Sequence, residues 1–97
     1  MLIISGTAEF MGETSKFVKG DLHAFTMFCL NENLDDQLVD IENFFNERDW
    51  DQITIEEAGL IDDDSMLDND TLKQAYQKAN VEKLSVVIQN TPISNAA

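Results

Sequence analysis

The second apolar segment of the chain, residues 22–30 with the sequence LHAFTMFCL, constrains the fold more than any other. Alternate residues of a strand point to the same face, so Phe25, Met27 and Cys29 share one face. Ala24 and Phe28 share the other. A strand that is apolar on both faces is typical of a central position or of a sheet whose second face is covered. We therefore expect this segment to lie at the centre of a sheet or beneath a cover.

The apolar periodicity along the rest of the chain predicts the order β-β-α-β-α-β. The strands are expected at residues 2–10, 22–30, within 50–58 and at 84–89, and the helices from about 34 to 46 and from about 68 or 70 to 80. The helices show apolar stripes formed by Leu34, Leu38, Ile41 and Phe45, and by Leu72, Ala75, Tyr76 and Ala79. This pattern indicates an α+β two-layer sandwich, with a four-stranded mixed sheet and both helices on one face. We expect one domain over residues 1–90 and a flexible C-terminal tail over 91–97.

The chain's 97 residues are 43% apolar, which is enough for one hydrophobic core. Cys29 is the only cysteine, so no internal disulfide bond is possible. No apolar run approaches the roughly 20 residues of a membrane span, and no secretory signal is visible. These features predict a cytoplasmic protein that does not bind membranes.

The net charge of -13 is concentrated in one part of the chain. Residues 32–70 hold fifteen acidic residues and a single basic one, Arg48, whereas the remaining residues hold four acids and five bases. A strongly acidic surface disfavours direct binding to nucleic acid or to anionic membranes, because both select basic surfaces. The charge instead favours a basic protein partner.

Part of this negative charge lies on one side of the first predicted helix. At 100° per residue, Asp36, Asp40 and Glu47 lie opposite the apolar stripe. With Asp62, Asp63 and Asp64 of the following acidic loop, they are the candidate partner-binding residues. Residues 32–51 carry about one acid per ~4 Å if helical, whereas duplex DNA carries one charge per ~1.7 Å. Mimicry of a nucleic acid therefore requires the acidic loop to lie alongside this helix, so that the combined charge density approaches that of DNA. Alternatively, the acids serve only to keep the protein soluble.

The residues that could carry chemistry do not form a recognisable constellation. The acidic run 62–70 departs from the EF-hand pattern, with Lys73 where a bidentate Glu is needed. His23 and Cys29 lie six residues apart on one strand, about 20 Å at ~3.3 Å per residue, too far to act as a dyad. We expect His23 to be exposed or at an edge and Cys29 to be a small buried hydrophobe. The sequence predicts no enzyme, no cofactor and no metal site.

Three hypotheses about function follow. The first is a non-enzymatic interaction module that binds or inhibits a basic protein, as immunity-type inhibitors do. The second is a small oligomeric accessory or scaffold protein, a homodimer formed through the face of Phe25 and Met27, whose acids only solubilise it. The third is a domain that weakly binds a divalent cation or small ligand.

Overall fold

The computed structural model describes residues 1–93 of the chain. Its strands are β1 (Leu2–Phe10), β2 (Leu22–Cys29), β3 (Trp50–Leu60) and β4 (Leu84–Ile88), and its helices are α1 (Leu38–Asn46) and α2 (Asp70–Glu82). Two short 3₁₀ helices, Asp35–Gln37 and Asp64–Met66, precede α1 and α2 and were not predicted. Of the predicted flexible tail, residues 94–97 lie outside the described part, while the Ile93 N–H donates to the Leu22 carbonyl at 2.7 Å.

The four strands form one antiparallel sheet in the order β3-β1-β2-β4, so the predicted mixed sheet is wrong. A mixed sheet needs at least one pair of neighbouring parallel strands, and all three neighbouring pairs found in residues 1–93 are antiparallel. Helix α1 carries the chain from β2 past β1 to the far edge, so β2 and β3 run in the same direction but are not neighbours. The α2 connection then crosses from one edge strand to the other. The α+β class with four strands and two helices is confirmed.

The two helices pack on opposite faces of the sheet, so their predicted placement on one face is also wrong. The ring centre of Phe25 lies 4.7 Å from that of Phe45 in α1. The ring centre of Phe28 lies 6.1 Å from that of Tyr76 in α2. Residues 25 and 28 of one strand face opposite ways because their separation is odd. Each face of β2 therefore has its own helix, and each helix has its own apolar cluster.

The start of α1 lies later than predicted because Gln37 interrupts the helix. Its backbone leaves helical geometry (φ -125°, ψ 13°), and its side chain is buried. The side-chain amide donates to the carbonyls of Asn31 at 2.6 Å and Asn33 at 3.1 Å. The amide thus provides hydrogen-bond donors for two backbone carbonyls of the preceding loop. These bonds hold the loop against the start of the helix. Leu38, expected in the buried stripe, is 45% exposed.

Strand β3 is irregular against β1. Glu57 pairs with Ser5 and Ile55 with Gly6, which leaves Glu56 unpaired as a β-bulge. A second irregularity lies near Gln52, whose φ is +50°. The two bulges bend the long edge strand and divide it into shorter regular stretches.

Candidate protein-interaction surface

The three acidic residues predicted opposite the apolar stripe of the first helix are exposed, and we call them the α1 ridge (Asp36, Asp40 and Glu47); Asp36 precedes the break at Gln37 and is not part of α1. Asp36 lies in the first 3₁₀ helix, Asp40 in the first turn of α1, and Glu47 at its C-terminal cap. Glu47 contacts the Arg48 guanidinium at 3.8 Å, whereas Asp36 and Asp40 make no salt bridge with any residue from 1 to 93. The ridge thus keeps most of its negative charge.

Arg48, the only basic residue in the acidic segment, is held at one end of the ridge. Its guanidinium lies 3.6 Å from the centre of the Phe44 ring and donates to the Phe44 carbonyl at 2.9 Å. A cation at this position caps the helix C-terminus and stacks on an aromatic face. Arg48 lines one surface depression together with Asp40 and Glu47, so it offsets part of the charge there, although it forms no salt bridge with Asp40 in the described chain.

The acidic loop, Asp62–Asp64, belongs to the α2 side of the molecule. The Tyr76 hydroxyl donates to the Asp62 carbonyl at 3.4 Å, and the Gln77 amide donates to the Asp64 carboxylate at 3.2 Å. The sheet thus lies between this loop and most of the α1 ridge. The two acidic segments approach each other at one end of the sheet, where the Met1 amino group contacts both the Glu32 carboxylate and the Ile61 carbonyl. The side-by-side arrangement that nucleic-acid mimicry requires is not found.

Asp63 has a local structural role in this loop. Its carboxylate accepts hydrogen bonds from the Ser65 hydroxyl and, at 2.8 Å, from the Ser65 N–H, which caps the second 3₁₀ helix. These side-chain and backbone bonds lower the pKa of the Asp63 carboxyl, because they stabilise its charged form. Asp63 therefore stays ionised at neutral pH.

A groove that the sequence did not predict runs between α1 and the edge strand β3, and we call it the edge groove. Its volume is about 420 Å³. It is lined by Leu38, Ile41, Glu42, Asp51, Gln52, Ile53 and Ile55. The amphipathic pattern of α1 was visible in the sequence, but the groove depends on which strand lies beside the helix. That neighbour is decided by the long-range pairing of β3 with β1.

Phe25 and Met27 do not form an exposed surface. They are 2% and 0% exposed, beneath α1 in the larger apolar cluster. The sequence left open what covers the second face of this strand, and the structure covers both faces, one with each helix. Homodimerisation stays a prediction, but it lacks the surface proposed for it.

His23 is buried, contrary to expectation, whereas Cys29 is buried as predicted. The His23 side chain is 2% exposed and its Nδ1 lies 2.7 Å from the Gln89 carbonyl, so Nδ1 carries the proton that is donated. Phe17 and Trp50 pack edge-on against the ring, and Nε2 has no hydrogen-bond partner within the described chain. Burial raises the pKa of the Cys29 thiol to about 11, which keeps it protonated at neutral pH. The two side chains lie at opposite ends of β2.

The part of the chain covered by the structure, residues 1–93, contains no cluster of three or more His, Cys, Asp or Glu suited to a metal ion. None of its helices combines the length and apolar character needed to cross a membrane. A scan against protein-family models and searches of curated proteins and of solved structures found no match for this chain.

Proposed function

We propose that this protein is a non-enzymatic interaction module that binds, and thereby inhibits, a basic protein partner through the face that carries α1. The proposal rests on the α1 ridge: Asp36 and Asp40 are exposed and make no salt bridge within residues 1–93. A surface of one charge sign speeds the encounter with an oppositely charged partner and selects against others. Arg48, packed against Phe44, is the only basic residue of the acidic segment 32–70, so the net charge of that segment stays strongly negative.

The chemical features of the molecule favour binding over catalysis. Cys29 is buried and protonated, and His23 is enclosed by aromatic rings at the other end of the strand. Neither group reaches the α1 ridge or the edge groove, so neither is available there as a nucleophile or base. The surface that remains exposed and charged is suited to another macromolecule.

The test is salt-sensitive capture by a ridge variant and a matched control. The purified chain retains partners from its native host at low salt, and bound proteins released by high salt are identified by mass spectrometry. We expect the triple variant Asp36→Asn, Asp40→Asn, Glu47→Gln to weaken binding of the identified partner by roughly tenfold or more, about 1.4 kcal/mol.

The control variant Glu9→Gln, Glu13→Gln, Asp68→Asn removes the same charge away from α1 and is expected to bind within about twofold of the unmodified chain. Equal losses in the two triple variants would show that only the net charge matters. The absence of any partner released by high salt would contradict the proposal itself.

A further inference from the structure

The outer edge of β3 carries backbone groups that no strand of residues 1–93 pairs with. β3 has β1 on one side and is the last strand of the sheet on the other. The Ile61 N–H donates to the Met1 carbonyl at 3.0 Å, and hydrogen bonding alternates along an antiparallel pair. Ala58 and Leu60 therefore direct their N–H and C=O groups away from β1. Both residues are exposed, Leu60 at 62%.

The edge groove lies beside the same strand and has the character of a side-chain pocket. Its floor is aliphatic, formed by Leu38, Ile41, Ile53 and Ile55. Two exposed carboxylates, those of Glu42 and Asp51, stand on its rim, and no basic residue lines it. The remaining lining residue, Gln52, is neutral, so every charged residue of the groove is acidic, and the groove fits a segment that carries both apolar and basic side chains.

The charge of β3 indicates whether its free edge binds a second copy of this chain or a different partner. β3 carries Asp51, Glu56 and Glu57 and no basic residue, so a second copy would bring a strand of the same negative charge to this edge. Like charges opposite each other destabilise strand pairs. A segment rich in Lys or Arg gains attraction from the same residues.

We propose that the partner contributes an extended segment, with apolar side chains alternating with Lys or Arg, which adds to the free edge of β3 and fills the edge groove. This inference rests on the proposed function and names the part of the partner that is recognised. Main-chain bonds supply the alignment in this mode of recognition, and the pocket selects side chains. Because of the bulge at Glu56, we expect backbone pairing at Glu57–Leu60 and side-chain contact at the groove.

The first experiment titrates the isotope-labelled full chain with a synthetic peptide of sequence KVKIKVK and follows amide and methyl resonances. We expect saturable binding, with shifts at the Ile53 and Ile55 methyls and slowed hydrogen exchange at the Ala58 and Leu60 amides. A KSKSKSK peptide has the same charge and is expected to bind at least tenfold more weakly, because it cannot fill the aliphatic floor. Equal binding of the two peptides would overturn the inference.

Two pairs of variants locate the contact. Leu38→Lys places a cation on the groove floor and is expected to weaken KVKIKVK binding at least tenfold, whereas Val39→Lys, on the neighbouring exposed residue, stays within about threefold. Ala58→Pro removes an outward N–H and is expected to weaken binding by a similar factor, whereas Ala58→Val retains it. Each variant is first shown to be folded by its far-ultraviolet circular dichroism. If Ala58→Pro does not fold, the comparison of Leu38→Lys with Val39→Lys by itself shows whether the peptide binds in the edge groove.

The outcomes separate this inference from the proposed function. If Leu38→Lys and Val39→Lys weaken peptide binding equally, the groove is not the site and the inference fails. The proposed function still stands if the α1 ridge variant loses the host partner. Concentration-dependent exchange protection at Ala58 and Leu60 without peptide would instead identify a second copy as the occupant and overturn the inference.

Discussion

At Gly6 the two strands β1 and β3 approach so closely that no side chain fits between them. A Cβ atom at this position would lie 1.9 Å from the Thr54 carbonyl oxygen. That oxygen belongs to the backbone, so it cannot move aside as the end of a flexible side chain can. Gly6 pairs with Ile55, which is the residue next to the bulge at Glu56. The close approach of the two strands and the bulge therefore occur at the same place in the sheet.

Replacing this glycine tests that geometry. We expect Gly6→Ala to lower the free energy of unfolding by about 2–3 kcal/mol or more, since the strands must separate to admit the methyl group. Gly59→Ala is the matched control, because a Cβ there meets nothing within 4 Å, and we expect a change within about 0.5 kcal/mol. Urea unfolding followed by circular dichroism measures both. Equal stability of the two variants would show that the approach at Gly6 relaxes easily.

At the scale of elements, β2 is the strand on which both layers of helix depend. Phe25 and Met27 contact the α1 side and Phe28 the α2 side, and all three are 2% exposed or less. The pattern of residues 22–30 predicted that a second face needed cover. It did not identify α2 as the cover. The apolar pattern of a strand indicates which of its residues are buried, but it does not indicate which helix or loop buries them.

Phe25→Asp distinguishes a core residue from an interface residue. A carboxylate in this cluster loses the packing of the ring and buries a charge, so we expect a loss of more than about 5 kcal/mol, enough to unfold a small domain of modest stability at room temperature. Val81→Asp, at a position 83% exposed on α2, is expected to stay folded. Thermal melts and light scattering after size-exclusion chromatography provide the readout. A folded Phe25→Asp monomer derived from a dimeric parent would support the homodimer interface predicted from the sequence.

At the scale of the whole molecule, the net charge of -13 acts on stability as well as on binding. The acids of residues 32–70 are distributed over both sides of the sheet, so the folded chain brings many like charges within about one Debye length of each other at low salt. The salt bridges among residues 1–93 involve only Glu32, Glu47 and Glu82 of the nineteen acids. Repulsion between the remaining carboxylates therefore opposes folding.

Screening should relieve this repulsion. We expect the melting temperature to rise by several degrees, equivalent to about 1 kcal/mol, when NaCl increases from about 0.01 M to about 0.5 M. The α1 ridge variant should melt higher at low salt and respond less to added NaCl. Differential scanning calorimetry at neutral pH measures both effects. A melting temperature that is independent of salt would mean that the acids are too far apart to repel one another.

The sequence by itself determined the elements and the position of the charge. Periodicity predicted β1 and β2 closely, as well as the buried Ala75 and Ala79 of α2, because burial on one face leaves a repeat in the local sequence. The same helical spacing predicted the exposure of Asp40 and Glu47, whereas Asp36 lies in the 3₁₀ helix before the break at Gln37. These features depend on residues near one another in the chain, so the sequence alone was sufficient to predict them.

Only the tertiary structure decided the strand order, the placement of the helices on opposite faces and the edge groove. Each depends on which distant segments pair, and that choice reflects the total burial of several elements rather than the pattern of any one of them. Leu38 illustrates the reason: its spacing is that of a buried residue, yet it is 45% exposed and lines the edge groove. The helix pattern is local, but the strand that lies beside the helix is fixed by contacts along the whole chain.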